Sequence, residues 1–341
     1  MQPEWVLLAE VVKRMDILDE KSVLVTGGTG SFGKMFVKWI LQNTRVRRVV
    51  VFSRDEFKQF EMQQGYRGDP RLRFFIGDVR DRERLNRAFH GIDFVVHAAA
   101  LKQVPAAEYN PFEAVKTNIG GAENVINAAI DQGVGRVIAL STDKASSPVN
   151  LYGATKFVSD KVFVDGNCYA GGTQTRMSVV RYGNVVGSRG SVIPFFLKHA
   201  SSGKLPITDE RMTRFWITLP QGVDFVHRCL AEMQGGEIFV PKIPSMRITD
   251  LARVIAPDAE FEIVGIRPGE KLHEEMISVT DARRTLDIGD YYIIKPDFEW
   301  GPDFKLEGVS PPEGFSYTSD ANTEWLSEDE LRAMVKDLEE T

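Results

Sequence analysis

Val23-Leu24-Val25-Thr26-Gly27-Gly28-Thr29-Gly30-Ser31-Phe32-Gly33 is a short apolar run that breaks into a glycine-rich turn, and Met35, Phe36, Trp39 and Ile40 then fall at helical spacing. A strand, a tight turn and a helix in immediate succession give the glycines at 27, 30 and 33 their meaning. They let backbone approach a pyrophosphate at a helix amino terminus, where free N–H groups and the helix dipole favour negative charge. Gly27, Thr29, Gly30, Ser31, Phe32 and Gly33 are therefore the first candidate cofactor contacts. The other reading, a tight turn with nothing bound, is weakened by the strand before and the helix after.

The same alternation continues outward. Arg48 to Phe52 is a second apolar run, and it ends in Ser53-Arg54-Asp55. An acidic residue at this strand end would hold a ribose 2′-hydroxyl, whereas Ser53 and Arg54, with Lys58 one helical turn on, suit a 2′-phosphate. NADP is expected over NAD, with Asp55 as the residue that opposes the choice by turning back towards the ribose. Leu72 to Ile76 leads to Gly77-Asp78-Val79, where Asp78 is placed to accept from an adenine amino group. Phe94 to His97 leads to Ala98-Ala99-Ala100, small residues that let a cofactor lie close, with Lys102 next in line for a phosphate or hydroxyl. Asn118 falls in a helical stretch expected beside the site. His97 has no partner motif and reads as a packed strand residue. Val137 to Leu140 and Met177 to Arg181 complete the series. Strand and helix in alternation predict an α/β fold with a doubly wound parallel sheet, a Rossmann-type nucleotide-binding domain over 21–185. A smaller C-terminal substrate-binding lobe is expected over 186–341, with segments near 215–245 packing back on the first domain.

Ser141 to Lys156 holds the densest set of proton-transfer groups. Tyr152 and Lys156 are four apart, on one face of a helix, where an ammonium beside a phenol is expected to lower the tyrosine pKa. With eight tyrosines in the chain, one Tyr-x-x-x-Lys also arises by chance. Thr142-Asp143-Lys144 sharpens the reading, since it puts a carboxyl and an amine at the same strand end, where catalytic groups of open α/β sheets gather. Thr142, Asp143, Lys144, Tyr152 and Lys156 are the candidate catalytic residues; a solvated Asp143–Lys144 pair is the bland alternative.

The loop Tyr182 to Ser191 is rich in glycine and serine, and Asn184 and Arg189 offer donors suited to a nucleotide-sugar diphosphate. Thr208, Arg211, Arg214, Arg267 and Glu270 add polar groups farther on, each of which also suits a plain surface loop. At 341 residues, 43% hydrophobic and 26% charged, the chain has the make-up of a soluble globular protein. A net charge of −6 argues against a general nucleic-acid surface. Cys168 and Cys229 give no disulfide framework, and no apolar span approaches 18 residues, so a cytoplasmic protein without a membrane domain is expected. Nothing suggests a bound metal. Residues 1–20 read as an N-terminal extension, a short amphipathic helix rather than a signal peptide. Ser327 and Glu330 are spaced as a capping box for a terminal helix.

Taken together, Thr26 to Gly33, Ser53-Arg54-Asp55-Glu56, Thr142-Asp143-Lys144 and Tyr152-Gly153-Ala154-Thr155-Lys156 resemble the extended short-chain dehydrogenase/reductase family. Arg181 to Ser191, Arg211-Met212-Thr213-Arg214-Phe215-Trp216 and Ile266 to Glu274 bring the chain closer to that family's soluble inverting UDP-N-acetylglucosamine 4,6-dehydratases of pseudaminic acid biosynthesis. The resemblance runs from about Met15 to the end. Retaining hexose dehydratases carry Asp-Glu where this chain has Asp143-Lys144, and membrane-bound relatives often have methionine at the Tyr152 position. The segment Met1 to Arg14 has no counterpart in the short soluble form.

The resemblance implies a homo-oligomer, dimer or hexamer, that uses NADP and takes UDP-N-acetylglucosamine. It implies a redox-neutral loss of water through a 4-ketone, as the first step towards pseudaminic acid and flagellin glycosylation. The product would be UDP-2-acetamido-2,6-dideoxy-β-L-arabino-hex-4-ulose. Tyr152 with Lys156 would deprotonate the C4 hydroxyl while hydride passes to the cofactor, Lys144 would take H5, and Asp143 would protonate the departing 6-hydroxyl. Thr142 would orient the 4-oxygen, and Lys102, Asn184, Arg189, Ser191, Thr208, Arg211, Arg267 and Glu270 would bind the sugar nucleotide. A UDP-sugar 4-epimerase, a retaining 4,6-dehydratase and a catalytically silent NADP-sensing regulator are the competing readings.

Overall fold

Strands covered by helices on both faces must be apolar throughout, and the alternating runs of this chain obey that rule. The computed structural model describes residues 16–66, 68–187, 192–297 and 306–339. The chain runs β1 (Ser22–Thr26), α1 (Ser31–Asn43), β2 (Arg48–Ser53), α2 (Glu56–Gln64), β3 (Leu72–Ile76), α3 (Arg82–Phe89) and β4 (Phe94–His97). It continues through α4 (Gly121–Gln132), β5 (Arg136–Leu140), α5 (Leu151–Asp165) and β6 (Arg176–Val180). Every residue of β1 and β4 is buried.

These six strands pair in parallel in the order β6-β5-β4-β1-β2-β3. Val25 of β1 lies between Val51 of β2 and Val96 of β4. The order reverses between β1 and β4, and the crevice above their carboxyl ends is where such sheets bind ligands.

The later chain gives β7 (Asn184–Val185), α6 (Val192–Ala200), β8 (Lys204–Ile207), β9 (Thr213–Ile217), α7 (Leu219–Glu232), β10 (Ile238–Pro241), β11 (Ser245–Arg247) and α8 (Ile248–Ile255). It ends in β12 (Glu260–Ile263), β13 (Glu275–Ile277), β14 (Thr285–Asp287), β15 (Tyr291–Ile294), β16 (Tyr317–Thr318) and α9 (Glu328–Glu339). β10 joins β6 in parallel, and the antiparallel β14–β15 pair extends the large sheet beyond it. Residues 285–294, expected in the smaller lobe, thus belong to the large sheet, with Ile293 and Ile294 buried in its core.

A second core, including Phe196, Leu205, Ile207, Met246 and Leu251, fills the smaller lobe. β9 is the seam between the two. Phe215 and Ile217 point into the first core and Trp216 into the second, the two-residue alternation of a strand buried on both faces. The site-bearing residues 213–217 are therefore held from both sides.

Of the expected N-terminal extension, 1–15 lies outside the described residues; Leu18 is fully buried and Asp19 pairs with Arg45 at 2.7 Å. At the far end, Ser327 and Glu330 exchange side-chain-to-backbone hydrogen bonds at the start of α9. Cys229 is buried, Cys168 is exposed, and both are free. Among the described residues no helix is long and apolar enough to cross a membrane, and no side-chain cluster has the make-up of a metal site.

Candidate active site

The glycine turn after β1 is built for close backbone approach. Gly27 has φ of +64°, and a β-carbon there would stand 2.9 Å from the Ala99 Cα. At Gly33 it would stand 2.5 Å from the Gly28 Cα. Both neighbours are backbone and have no rotamer to yield, so these positions require glycine. Gly30 caps α1 without a side-chain hydrogen bond, which leaves the first N–H groups of the helix open to a ligand. The turn forms one wall of a cleft of about 820 Å³.

Ser53, Arg54, Asp55, Lys58, Asp78, Val79, Ala98, Ala100 and Lys102 line the same cleft as Gly27, Thr29, Gly30, Ser31, Phe32 and Gly33. Asp55 is engaged at the start of α2. Its carboxylate caps α2 by accepting from the Lys58 N–H at 3.0 Å and pairs with the Lys58 ammonium. Lys58 holds that carboxyl below the usual aspartate range. Arg54 lies 3.8 Å from Asp78, which is tied to Arg80 at 2.6 Å.

Asn118 is not a wall of this cleft. It accepts from the Leu101 N–H at 2.8 Å and donates to Leu101 O and Thr155 Oγ1, both at 3.0 Å, so it braces the β4 loop against α5. His97 is likewise structural: buried, 2.8 Å from Thr26 Oγ1, and pushed down to about 3 by burial and by Lys156.

At the carboxyl end of β5 the chain makes a 3₁₀ turn, Asp143–Ala145, and enters α5 through Asn150, which accepts from the Gly153 N–H at 2.7 Å. The cap sets the phase of α5, and Tyr152 and Lys156 face the cleft. Lys156 Nζ donates to the Leu140 carbonyl at 2.7 Å, and burial lowers its pKa, opposed by Asp160. The Thr142 hydroxyl, beside the Tyr152 phenol, donates to Asp143 Oδ1 at 2.9 Å.

The expected depression of the Tyr152 pKa is not what the site produces. Burial pushes the phenol up to about 12, and the cation that opposes this is Lys144. Lys156 is spent on the Leu140 carbonyl. Beneath the site, Asp160 joins Ser141 at 2.8 Å and the buried Arg181 at 3.3 Å, fixing the ends of β5 and β6 to α5.

Lys144 Nζ sits between two carboxylates, 3.1 Å from Asp143 Oδ1 and 2.9 Å from Glu274 Oε1. Burial opposes its charge, but the two anions outweigh burial and raise its pKa. Burial raises Asp143, and Glu274 adds to the effect. Burial also works to raise Glu274, yet Lys144 and Arg214 hold it below the ordinary glutamate range. Asp143 is therefore the carboxyl that keeps a proton more readily, and Glu274 the one that stays an anion. A path of polar contacts runs from Thr142 through Asp143 and Lys144 to Glu274, with the Tyr152 phenol beside Thr142.

Asn184, Thr208, Arg267 and Glu270 line the far side of the cleft with Phe195, Phe196 and Trp216. Arg211 does not join them: it is exposed and bound to Asp209 at 2.8 Å. Arg189 and Ser191 lie outside the described residues. Arg214 does line the cleft, and it is anchored on Glu270 at 3.4 Å and Glu274 at 3.7 Å. Glu274 was not foreseen, because it is 130 positions from Lys144 and only its place after Arg267-Pro268-Gly269-Glu270-Lys271 marks it.

The chain matches the family described as polysaccharide biosynthesis protein over residues 23–296. A UDP-N-acetylglucosamine 4,6-dehydratase (inverting) of Campylobacter jejuni is 55% identical over 333 residues, 95% of this chain and 99% of that protein. A UDP-glucose 4-epimerase of Rickettsia canadensis is 41% identical over 286 residues, 82% of this chain and 84% of the other. Among solved structures, Pen from Bacillus thuringiensis has a TM-score of 0.85 at 37% identity, covering 95% of this chain and 99% of that one. The dTDP-glucose 4,6-dehydratase DesIV of Streptomyces venezuelae, solved with NAD, has a TM-score of 0.65 at 27% identity, covering 74% and 86%.

Proposed function

The chain belongs to the polysaccharide biosynthesis protein family, among the extended short-chain dehydrogenase/reductases, and from that premise we propose that it is an inverting UDP-N-acetylglucosamine 4,6-dehydratase. The observation that carries this reading is the Asp143–Lys144 pair set beside Tyr152 in a cleft continuous with a dinucleotide cradle. Oxidation at C4 asks the protein for one base, Tyr152, beside the cofactor, whereas loss of water across C5 and C6 needs a base and an acid side by side.

The cradle suits a dinucleotide, since Gly27 and Gly33 admit only backbone-close contact and the start of α1 is open to a pyrophosphate. NADP is the form favoured by Ser53 and Arg54, with the Asp55 carboxylate held on α2 and neutralised by Lys58. Bound there, the nicotinamide supplies reversible hydride acceptance.

The chain's own residues move the protons. Tyr152 takes the proton of the 4-hydroxyl, and with its phenol near 12 that transfer runs together with oxidation of C4 rather than from a preformed phenolate. Thr142 orients the 4-oxygen. The resulting ketone acidifies H5. Passage of one proton from Lys144 to Asp143 across 3.1 Å turns the ion pair into a neutral amine and a carboxylic acid, the base for H5 and the acid for the 6-hydroxyl. Asn184, Thr208 and Arg267, with Lys102, hold the sugar nucleotide. Return of the hydride to C6 and of a proton to C5, on the face opposite the one H5 left, would close the redox balance and invert that centre. The product would then feed pseudaminic acid synthesis in a cytoplasmic homo-oligomer, with the two free cysteines in keeping with a reducing compartment.

Purified protein given UDP-N-acetylglucosamine without added reductant is expected to form a 4-keto-6-deoxy sugar nucleotide with no net NADPH. Accumulating NADPH, or UDP-N-acetylgalactosamine without loss of water, would overturn the assignment; the second result would favour the epimerase.

A further inference from the structure

Glu274 sits at a junction that the reaction as described leaves unused. It is 2% exposed and lies behind the residues that line the cleft. Its Oε1 lies 2.9 Å from Lys144 Nζ and 3.7 Å from Arg214 Nε, and Lys144 Nζ is in turn 3.1 Å from Asp143 Oδ1. The main chain around it is fixed independently: the Glu274 N–H donates to Ser319 Oγ at 2.9 Å, and the next residue begins β13. The carboxylate is thus delivered to the end of β5 by a segment whose position does not depend on Lys144.

We infer that Glu274 is a positioning residue for the dehydration: from behind the cleft it holds the Lys144 ammonium against Asp143 and so sets the pH range in which that pair can exchange its proton. The inference rests on the dehydratase reading above. Charged and titratable groups from several elements surround Lys144, and Glu275 accepts from Ser146 and Ser147 just beyond it. Asp143 comes from its own turn, Tyr152 from α5, Arg214 from β9, and Lys271 and Glu274 from the segment before β13, with Glu270 one layer out on Arg214. Asp143 and Glu274 favour the ammonium, Arg214 and Lys271 oppose it, and Glu274 is the closest of the four.

The working form of the pair carries one proton shared between Asp143 and Lys144. With two protons there is no base, and with none there is no acid. An anion behind Lys144 raises both limits together, so removing it must move the whole pH profile of dehydration downward. Removing the opposing Arg214 cation must move it upward. A role confined to folding would lower the rate at every pH and leave the limits where they are.

The test is the pH profile of dehydration for wild type, Glu274→Gln and Arg214→Gln, each with saturating NADP and UDP-N-acetylglucosamine, beside thermal melts of all three. Glu274→Gln is expected to shift the limits down by about 1–3 pH units, the range for loss of one close opposite charge. Glu274→Asp should restore part of the shift, and Arg214→Gln should shift the limits the other way. Unmoved limits in folded Glu274→Gln would overturn the inference. Should that variant fail to fold, unmoved limits in Arg214→Gln would do the same. A wild type that does not dehydrate at any pH would instead refute the functional reading on which the inference stands.

Discussion

Gly153→Ala would add one methyl group at the contact between the two halves of the catalytic constellation. The new β-carbon would stand 2.2 Å from the Lys144 carbonyl oxygen and 3.2 Å from Pro148 Cβ. Ordinary contact begins at 3.4 Å, so α5 and the 3₁₀ turn must separate by about 1.2 Å, and because the obstacle is backbone no rotamer change relieves it. The turn carries Asp143 and Lys144 while α5 carries Tyr152 and Lys156, so the acid and base move relative to the phenol. A displacement near 1 Å costs roughly 10²-fold in rate, and overpacking costs about 1–3 kcal/mol of stability. Initial rates of 4-keto sugar formation should therefore fall about 10²-fold, with a lower melting temperature. NADP affinity should hold, since the cradle is built on the separate Gly27 to Gly33 turn. A folded Gly153→Ala enzyme with the wild-type rate would refute the claim that this contact sets the geometry of the site.

Two further outcomes follow from single side chains. Arg54→Ala should weaken NADP by about 10-fold or more, as expected for one lost charge-assisted contact, and leave NAD affinity nearly unchanged; equal losses for both in a titration would remove the argument for a 2′-phosphate site. Lys144→Ala should cut dehydration by roughly 10²–10⁴, while transient oxidation at C4, read as cofactor absorbance in a single turnover, persists; undiminished turnover would exclude Lys144 as the base.

Much of this was legible because local chemistry and tertiary role coincide. The 23–33 stretch specifies strand, turn and helix by itself, and its glycines answer a backbone requirement visible in the sequence pattern. Tyr152 and Lys156 share a helix, so four-residue spacing was enough to place them on one face. Four features were not legible. The Tyr152 pKa depends on burial and on which cation is nearest, and the Leu140 carbonyl that engages Lys156 leaves no trace in sequence. Asn118 has the polarity of a ligand contact, but only the folded chain shows its amide spent on Leu101 and Thr155. Glu274 meets Lys144 through a strand pairing, β13 with β16, that no local pattern announces. Arg211 and Arg214 are three positions apart, yet Arg211 pairs with Asp209 at the surface in the turn before β9 while Arg214, on β9, is buried against the cleft.

The central claim is that Lys144 and Asp143 carry out an inverting loss of water while the redox balance closes within each turnover. It is tested most directly by running the reaction on UDP-N-acetylglucosamine in D₂O and reading the product by NMR. The expected product is an L-configured 4-keto-6-deoxy sugar with deuterium at C5 and the original C4 hydrogen carried intramolecularly to C6. A D-configured product, or solvent deuterium at C6 in place of the C4 hydrogen, would contradict it.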